Sequence, residues 1–346
     1  MNEDIFESRK KDHIQCSLKV ESQSYATSDW EKIHLTPEAL PEINFNEINL
    51  KTTSLNSEWN SPFFVSSMTA GHSDSLSINS ILAEACERKG WLLGVGSQRR
   101  ELEDSMAHLE WQQIRTKYPR VLLASNIGIS QLVTTPVDQI QKIVENTQAK
   151  ALFIHVNPLQ ECLQIEGTPF FRGGYNSIEK LVKKLAIPIV IKEVGSGISI
   201  NTIHRLENIG VSAVDIGGRG GTHWGRVEGL RSPEKSPQSQ AAQTFKDWGL
   251  STPVILKSLA EFPKSNVEIW ASGGIRNGLQ AAKCLAMGAT RVGLARPFLE
   301  AALVSSTAVI ELMEQLEYEL KISLFCLGFE NINQMKQRKV WQWETE

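Results

Sequence analysis

Cysteine is scarce in this chain, and long apolar runs are missing. The 346 residues include five cysteines, widely spaced and without any C-x-x-C pair: Cys16, Cys86, Cys162, Cys284 and Cys326. This spacing excludes a disulfide framework and a structural zinc site and favours reduced thiols. No run approaches the ~20 apolar residues of a membrane span, and the charged opening MNEDIFESRKKDH lacks the apolar core of a signal peptide. We therefore expect a cytoplasmic protein without a membrane segment.

An excess of positive charge is also missing. The formal net charge is −3, and no basic stripe runs along the sequence. A protein that binds nucleic acid must displace counterions with clustered lysine and arginine, so nucleic acid is not an expected partner. The hydrophobic content of 41% and charged content of 22% are those of a soluble globular protein. An anionic small molecule remains compatible, because a local cluster of cations can bind it.

Short β-prone runs recur at roughly regular intervals, separated by helical patterns. The runs are Pro62–Ser67, Trp91–Val95, Val121–Asn126, Ala151–Asn157, Pro188–Lys192, Ser212–Ile216, Val267–Ala271 and Arg291–Leu294. The clearest helical patterns are Ser77–Lys89, Thr135–Thr147, Ile178–Leu185 and Asn277–Met287. Apolar runs without strict alternation are typical of strands buried on both faces, as in parallel sheets. Eight such units predict a single (β/α)₈ barrel, the TIM-barrel fold.

A doubly wound sheet is the alternative fold. It requires a G-x-G-x-x-G turn after the first strand. Here the first predicted strand ends instead in Ser-Met-Thr-Ala-Gly at residues 67–71. This difference favours the barrel.

The chain divides into three predicted parts. Residues 1–60 form a polar N-terminal extension with few helical or strand signals, residues 61–300 form the barrel, and residues 301–346 form one or two C-terminal helices. The Ser-, Pro- and Gly-rich segment 225–243 is either a mobile lid on the catalytic face or a disordered insertion. The run 253–259 has strand propensity, but it lies too close to the next predicted strand for a crossover helix between them, so we interpret it as a short helix or loop.

Glycine turns follow the last two predicted strands. Residues 271–299 read ASGGIRNGLQAAKCLAMGATRVGLARPFL. Glycines at a strand end let backbone N–H groups approach an anion, and a following helix N-terminus adds partial positive charge. Two adjacent turns of this kind form a phosphate cup in many (β/α)₈ barrels. The pattern resembles the end of FMN-binding barrels, in which Gly273, Gly274, Arg276 and Ala295 would hold the flavin phosphate; an ordinary strand–turn–helix unit is the alternative.

Polar residues stand at the ends of the other predicted strands, where the chemistry of a barrel is located. Lys192 ends a very apolar run and needs an anionic or electron-rich partner. A flavin ring edge would serve as that partner, and an ion pair with Glu193 or Asp215 is the alternative. Further candidates for flavin contacts are Ser67, Met68, Thr69, Asn126 and Thr222.

The motif His155-x-Asn157-x-x-Gln160-Glu161 is the most specific chemical pattern in the chain. Residues two apart on a strand point to the same side, so His155 and Asn157 share a face. The loop beyond them brings an amide, Gln160, and a carboxylate, Glu161. One carboxylate together with phosphate oxygens and waters is a common way to bind Mg²⁺. The alternative gives Glu161 a helix-capping role and His155 a place in the core.

Two cationic clusters complete the set of candidates. Arg9, Lys10 and His13 stand near the N-terminus, and Ser97-Gln98-Arg99 follows the second predicted strand. Arginine presents a planar fork to phosphate oxygens, whereas lysine presents a point charge. Together these residues would suit a diphosphate.

In order and content, these motifs resemble the type 2 isopentenyl diphosphate isomerase family from residue 9 to about residue 300. The resemblance implies an FMN-binding barrel that assembles as a homotetramer or octamer and interconverts isopentenyl and dimethylallyl diphosphates. It implies NADPH as the reductant of the flavin and a requirement for Mg²⁺. It also implies contacts of Ser97 with both cofactor and substrate, contacts of His155, Asn157 and Gln160 with substrate, and a contact of Leu294 with the flavin.

The chain departs from the family pattern at two places. Thr168 stands where the family often has aspartate, and Ala70 where it usually has glycine. The first change puts any role of position 168 in doubt but leaves Gln160 and Glu161 intact.

Two rival functions share the barrel. A 2-hydroxy acid oxidase would need a Ser-Asn-His-Gly motif near the sixth strand, where this chain reads Asp-Ile-Gly-Gly-Arg-Gly at residues 215–220. A flavin-storage protein would need neither the N-terminal cations nor Glu161. Because moving a double bond involves no net electron transfer, we expect the flavin to act as an acid and base, with Gln160 as an orienting group or proton relay.

Overall fold

The computed structural model describes residues 3–24, 27–68, 75–104, 106–262 and 266–344, without the side chains of residues 3–9, 27 and 28. The strands are β1 (Ile33–Leu35), β2 (Thr52–Ser54), β3 (Ser57–Trp59), β4 (Phe63–Val65), β5 (Leu92–Gly94), β6 (Leu122–Gly128), β7 (Ala151–Val156), β8 (Ile189–Glu193), β9 (Ala213–Asp215), β10 (Glu268–Ser272), β11 (Arg291–Leu294) and β12 (Trp341–Trp343).

The α-helices surround these strands. They are α1 (Glu3–Leu18), α2 (Thr27–Glu31), α3 (Ser75–Lys89), α4 (Leu109–Lys117), α5 (Ile129–Thr134), α6 (Val137–Thr147), α7 (Pro158–Leu163), α8 (Gly174–Lys184), α9 (Ile200–Asn208), α10 (Trp224–Arg231), α11 (Pro237–Thr244), α12 (Thr252–Glu261), α13 (Gly278–Ala286), α14 (Arg296–Ala302), α15 (Ser306–Cys326) and α16 (Ile332–Lys336). Short 3₁₀ helices occupy Val20–Ser22, Phe45–Glu47 and Gln98–Leu102.

Strands β4 to β11 pair in parallel and close into a barrel in which β11 lies beside β4. Each of the eight predicted runs overlaps one of these strands, so the predicted (β/α)₈ barrel is confirmed. The barrel strands are largely buried on both faces, which explains why the runs lacked alternation. On β4, for example, Phe64 packs inside the barrel against Phe153 and Trp270, whereas Phe63 and Val65 pack outward against the helical layer.

The bottom of the barrel is closed by the antiparallel pair β2–β3. Trp59 on β3 lies over the guanidinium of Arg291, which is fully buried at the start of β11. Arg291 also faces the ring of Trp270 and donates to the carbonyl of Phe63. The interior is therefore filled at this end, and a ligand cavity has room only at the opposite end.

The interpretation of residues 253–259 as a short helix is confirmed. They belong to α12, a ten-residue helix that follows α10 and α11 between β9 and β10. Ser251 caps this helix by accepting from the N–H of Val254, and Pro253 stands in its first turn.

Two other segments contain more helix than the sequence predicted. Residues 3–18 of the extension form α1, which has no apolar stripe because its barrel contacts include polar ones such as that between His13 and Glu228. Segment 225–243 lies within α10 and α11 and the link between them, so the disordered alternative was wrong. The C-terminal segment contains α15 and α16, and the tail continues into β12, which pairs with β1 of the extension.

All five cysteines are free. Among the helices of the described residues, none is both long and apolar enough to cross a membrane.

Candidate active site

A single open cavity collects the candidate residues at the carboxyl ends of the barrel strands, with α1 across its mouth. Of the residues predicted from sequence, its lining includes Lys10, His13, Ser67, Met68, Ser97, Arg99, Asn126, His155, Asn157, Gln160, Glu161, Lys192, Thr222, Gly273, Gly274, Arg276, Leu294 and Ala295. Thr69 lies outside the described residues, as does the side chain of Arg9. Gln98 is the exception, because it is buried with its amide turned toward Asn126 and Glu101.

The glycine turns after β10 and β9 are packed too tightly for side chains. Gly273 and Gly274 have φ angles of +95° and +74°, in the region that favours glycine. A Cβ on Gly273 would collide with the carbonyl of Gly218, and one on Gly274 would lie 2.6 Å from the carbonyl carbon of Gly220. Arg276 donates to the Gly220 carbonyl at 3.3 Å and lies at the same rim. The turns therefore form a cup of exposed backbone beside a cation, which we call the glycine cup.

Lys192 on β8 lines the cavity and forms a buried ion pair. Its Nζ donates to Asp215 Oδ2 at 2.9 Å and to the carbonyl of Glu193 at 3.1 Å. Ser272 donates to the other oxygen of Asp215 at 2.6 Å. The alternative of an ion pair with Asp215 is thus confirmed. Because Lys192 also lines the cavity, the pair presents its positive end to a ligand.

A chain of hydrogen bonds fixes the imidazole of His155. Gln98 Oε1 accepts from the N–H of Asn126, and Asn126 Nδ2 donates to the carbonyl of Val95. Asn126 Oδ1 is thereby turned to His155 Nδ1 at 2.9 Å, so Nδ1 carries the proton and Nε2 is an acceptor. Burial, with smaller contributions from Lys10 and Lys192, lowers the pKa of His155 to about 3. His155 is therefore neutral throughout the physiological range.

The polar motif after β7 is joined to the extension through a buried carboxylate. Asn157 donates to Gln160 and to Glu161, at 3.0 and 3.1 Å. Gln160 Nε2 in turn donates to Glu228 Oε1 at 2.9 Å, and His13 Nε2 donates to the same oxygen at 2.9 Å.

Glu228 lies on α10, and sequence reasoning missed it. Burial works to raise its pKa, but the hydrogen bond and charge of His13 and the charge of Arg231 outweigh burial and lower it. Arg231 donates to the second oxygen of Glu228 at 2.6 Å. The carboxylate is therefore ionised and fully paired, which fixes Gln160 and His13 relative to each other.

Glu161 is held by its own loop. Its Oε2 accepts from the N–H of Thr168 at 2.6 Å, and its Oε1 accepts from Asn157. A Cβ on Gly167 would collide with the carbonyl of Glu161, so the loop requires glycine there. Within the described residues, no group of three or more His, Cys, Asp or Glu side chains could hold a metal. Glu161 thus lies at the cavity wall with its carboxylate held in place, and its metal-binding role stays a prediction.

Two further cavity residues had no sequence signal. Trp224 stacks edge-on against His13, with ring centroids 5.3 Å apart, and Gln23 reaches the cavity from the extension. Both depend on contacts between segments about 200 residues apart in the chain, such as the bond from Gln23 to Thr222. A single sequence does not display such pairs.

Comparison with known structures gives the same fold. The recombinant flavin-binding domain of baker's yeast flavocytochrome b2 superimposes with a TM-score of 0.67 at 20% sequence identity, covering 96% of this chain and 82% of that one. At this identity the likeness concerns the fold alone.

Sequence comparison gives the family. Residues 170–342 match the family model described as FMN-dependent dehydrogenase. The chain is 48% identical over 333 residues to an isopentenyl-diphosphate delta-isomerase of Legionella pneumophila (strain Corby), covering 96% of this chain and 97% of the relative. It is 47% identical over 341 residues to the enzyme of that name from Bdellovibrio bacteriovorus, covering 97% and 98%. The chain therefore belongs to the FMN-dependent, type 2 family of isopentenyl-diphosphate delta-isomerases.

Proposed function

We propose that this protein interconverts isopentenyl and dimethylallyl diphosphates in the cytoplasm. One observation carries the proposal: a single cavity is lined both by the glycine cup with Arg276 and by the cations Lys10 and Arg99 from other segments. FMN has one phosphate group, so this further pair of cations suits a second phosphorylated molecule. Membership of the isomerase family supports a diphosphate as that molecule.

The residues present fit FMN. The glycine cup offers backbone donors where side chains would collide, and Arg276 adds a charge beside it. In the same cavity, Lys192 would present a cation to the electron-rich edge of a flavin ring. Ser67 and Met68 also line this cavity, and Ser67 Oγ is buried without a hydrogen-bond partner among the described residues. Reduced FMN would supply ring nitrogens that carry and release protons.

The protein's own groups would bind and orient the substrate. Lys10, Arg99 and the neighbouring Ser97 bind the diphosphate, with Arg9 and His13 contributing from α1. In the described tautomer, His155 accepts a hydrogen bond, so it pairs with a protonated oxygen or a water rather than with an ionised phosphate. Gln160, held by Asn157 and Glu228, orients the reacting carbon chain. Helix α1 excludes water, which a proton transfer to an alkene requires.

Mg²⁺ and NADPH complete the proposal. Glu161 would bind Mg²⁺ together with diphosphate oxygens and waters, since its two oxygens accept hydrogen bonds from Asn157 and Thr168 and retain further lone pairs for a cation. Thr168 supports Glu161 through its backbone N–H, a contact that does not require the aspartate of related sequences. NADPH would serve only to reduce the flavin.

The decisive experiment measures isomerisation. Purified protein with FMN, Mg²⁺ and isopentenyl diphosphate should be inactive until a trace of dithionite or NADPH is added. Product should then exceed the reductant consumed by a large factor. Stoichiometric consumption of NADPH would instead identify an oxidoreductase, and the isomerase proposal would be abandoned.

The oxidase rival is tested in parallel with lactate and glycolate. Its catalytic histidine has no equivalent near β9, because His223 caps α10 and its Nε2 lies 3.2 Å from the carbonyl of Trp248. We expect no peroxide with either acid. Peroxide release without isomerisation would establish the oxidase.

The storage-protein rival is tested through diphosphate affinity. Arg99→Ala and Arg9→Ala should weaken binding of isopentenyl diphosphate to the reduced holoprotein at least about tenfold, the value of one charge-assisted contact. Arg100→Ala is the matched control, since Arg100 pairs with Asp104 at 3.2 Å. Equal affinities in all three variants would mean that the substrate site is misplaced.

We also propose a homotetramer or octamer. Phe245, Trp248 and Leu250 are 39%, 56% and 47% exposed, and the first two rings are in edge contact. Such neighbouring apolar side chains suit burial between subunits. Sedimentation of wild type and Trp248→Glu tests this: the variant should dissociate, whereas a monomeric wild type would refute the proposal.

A further inference from the structure

Gln23 of the N-terminal extension is fully buried and lines the cavity. It follows the 3₁₀ helix Val20–Ser22, in a segment that forms a bridge with Thr222. No sequence motif pointed to it.

One side of the Gln23 amide is fixed by the protein. Nε2 donates to the carbonyl of Ser17 at 3.0 Å and lies 2.9 Å from Ser22 Oγ and 3.3 Å from Thr222 Oγ1. A carbonyl oxygen only accepts, so Ser17 sets which end of the amide is nitrogen. The opposite end, Oε1, is buried and has no hydrogen-bond partner among the described residues. A buried acceptor without a donor is unfavourable, so this oxygen is suited to a donor from a bound molecule.

The position of Gln23 identifies that molecule. Its neighbour Thr222 lies in the loop between the glycine cup and the barrel floor. The loop is closely packed on both sides. A Cβ added to Gly221 would lie 3.0 Å from the backbone nitrogen of Gly274, and a Cβ added to Gly195 would lie 2.7 Å from the carbonyl oxygen of Thr222. A flavin with its phosphate in the cup and its ring near Lys192 must pass this loop with the chain that joins them.

Only one part of FMN along this path offers donors. An ionised phosphate accepts hydrogen bonds, whereas the ribityl chain carries hydroxyl groups that donate. We propose that Gln23 Oε1 accepts a hydrogen bond from a ribityl hydroxyl, which makes the extension part of the cofactor site as well as the substrate site. The inference rests on the FMN of the proposed function.

The test compares three ligands of the apoprotein: FMN, riboflavin, and an FMN analogue whose chain is a plain alkyl phosphate without hydroxyls. Wild type, Gln23→Leu and Ser24→Ala are titrated with each by flavin fluorescence. Ser24 is the matched control, because it is buried in the same segment and its hydroxyl also has no partner among the described residues. Gln23→Glu, which retains acceptor oxygens but loses the donor to Ser17, is the second variant.

The measured quantity is the preference of each protein for FMN over the hydroxyl-free analogue, so general effects on folding cancel. We expect this preference to fall about tenfold in Gln23→Leu, because a tenfold change in affinity corresponds to the free energy of one hydrogen bond to a buried group. It should persist in Gln23→Glu and in Ser24→Ala. The preference for FMN over riboflavin should be the same in all four proteins.

Three results would overturn the inference. Equal weakening of all three ligands in Gln23→Leu would make Gln23 an anchor of α1 only. A change in the preference over riboflavin would point to the phosphate as its partner, and unchanged affinities for all three ligands would remove any ligand contact. Failure of the proposed function would give different results. Wild type would then not bind FMN, or it would bind FMN with the expected preference over the hydroxyl-free analogue but would not catalyse isomerisation.

Discussion

The Lys192–Asp215 ion pair offers the sharpest test of the site's electrostatics. The two charged atoms are 2.9 Å apart, and both side chains are buried. At that separation their attraction is about 6 kcal/mol for an effective dielectric constant of 20, before the cost of desolvation is subtracted. Removing one partner leaves the other charge buried and unpaired, which costs ~3–5 kcal/mol. Removing both charges together avoids that penalty.

The perturbation is therefore a double-mutant cycle of Lys192→Met, Asp215→Asn and the combined variant. Urea unfolding of the apoproteins should give free energies of unfolding reduced by ~3–5 kcal/mol in each single variant. The combined variant should be more stable than either of them. If instead the two losses simply add, the ion pair is not an energetic unit and the reasoning is refuted.

The same variants loaded with FMN report on the flavin. Reduction adds negative charge to the ring, so the reduction potential should fall in Lys192→Met and rise in Asp215→Asn, with the combined variant between them. Reductive titration against a reference dye measures this order. Identical potentials in all four proteins would mean that the pair does not act on the flavin.

Three further predictions concern Glu161, Glu101 and the glycine cup. Glu161→Gln keeps the shape but removes the charge, so Mg²⁺-dependent activity should fall at least about a hundredfold while FMN absorbance persists; loss of FMN would place Glu161 at the cofactor instead. Burial raises the pKa of Glu101 to about 7 from 4.5. The stability that comes from the neutral form of Glu101 is present below pH 4.5 and is lost as the pH rises through 7. The free energy of unfolding of wild type, measured in urea, should therefore fall by on the order of 3 kcal/mol relative to that of Glu101→Gln across this range. Parallel pH profiles of the two proteins would contradict this. Gly273→Ala should reduce FMN affinity far more than Gly288→Ala, because both glycines have positive φ but only Gly273 is crowded; equal affinities would remove the glycine cup from the cofactor site.

The barrel was predictable because its strands are buried on both faces. Apolar runs such as Ile189–Ile191 are distinct in any sequence. Once the fold is a barrel, all strand ends meet on one face, and distant polar residues such as His155 and Lys192 must come together. This is why most candidate residues line one cavity.

The orientation of Gln98, helix α1 and the role of Glu228 were not predictable from the sequence, for physical reasons. In the 3₁₀ turn after β5, successive side chains point in different directions, so Arg99 faces the cavity whereas Gln98 is turned into the wall. Helix α1 has no apolar stripe, and Glu228 stands in a segment whose composition is typical of a loop. The partner of Glu228 is His13, 215 positions away, and no local pattern records that pairing.

The pairing of β1 with β12 gives the C-terminal tail an influence on the far end of the barrel. Ile33 lies opposite Trp343, and the N–H of Glu344 donates to the carbonyl of Lys32 at 2.8 Å. The extension that carries Lys10 and Gln23 is therefore fastened on its C-terminal side by the last strand of the chain. A fusion or deletion at the C-terminus, although remote in sequence, would loosen the cover of the active site before it disturbed the barrel.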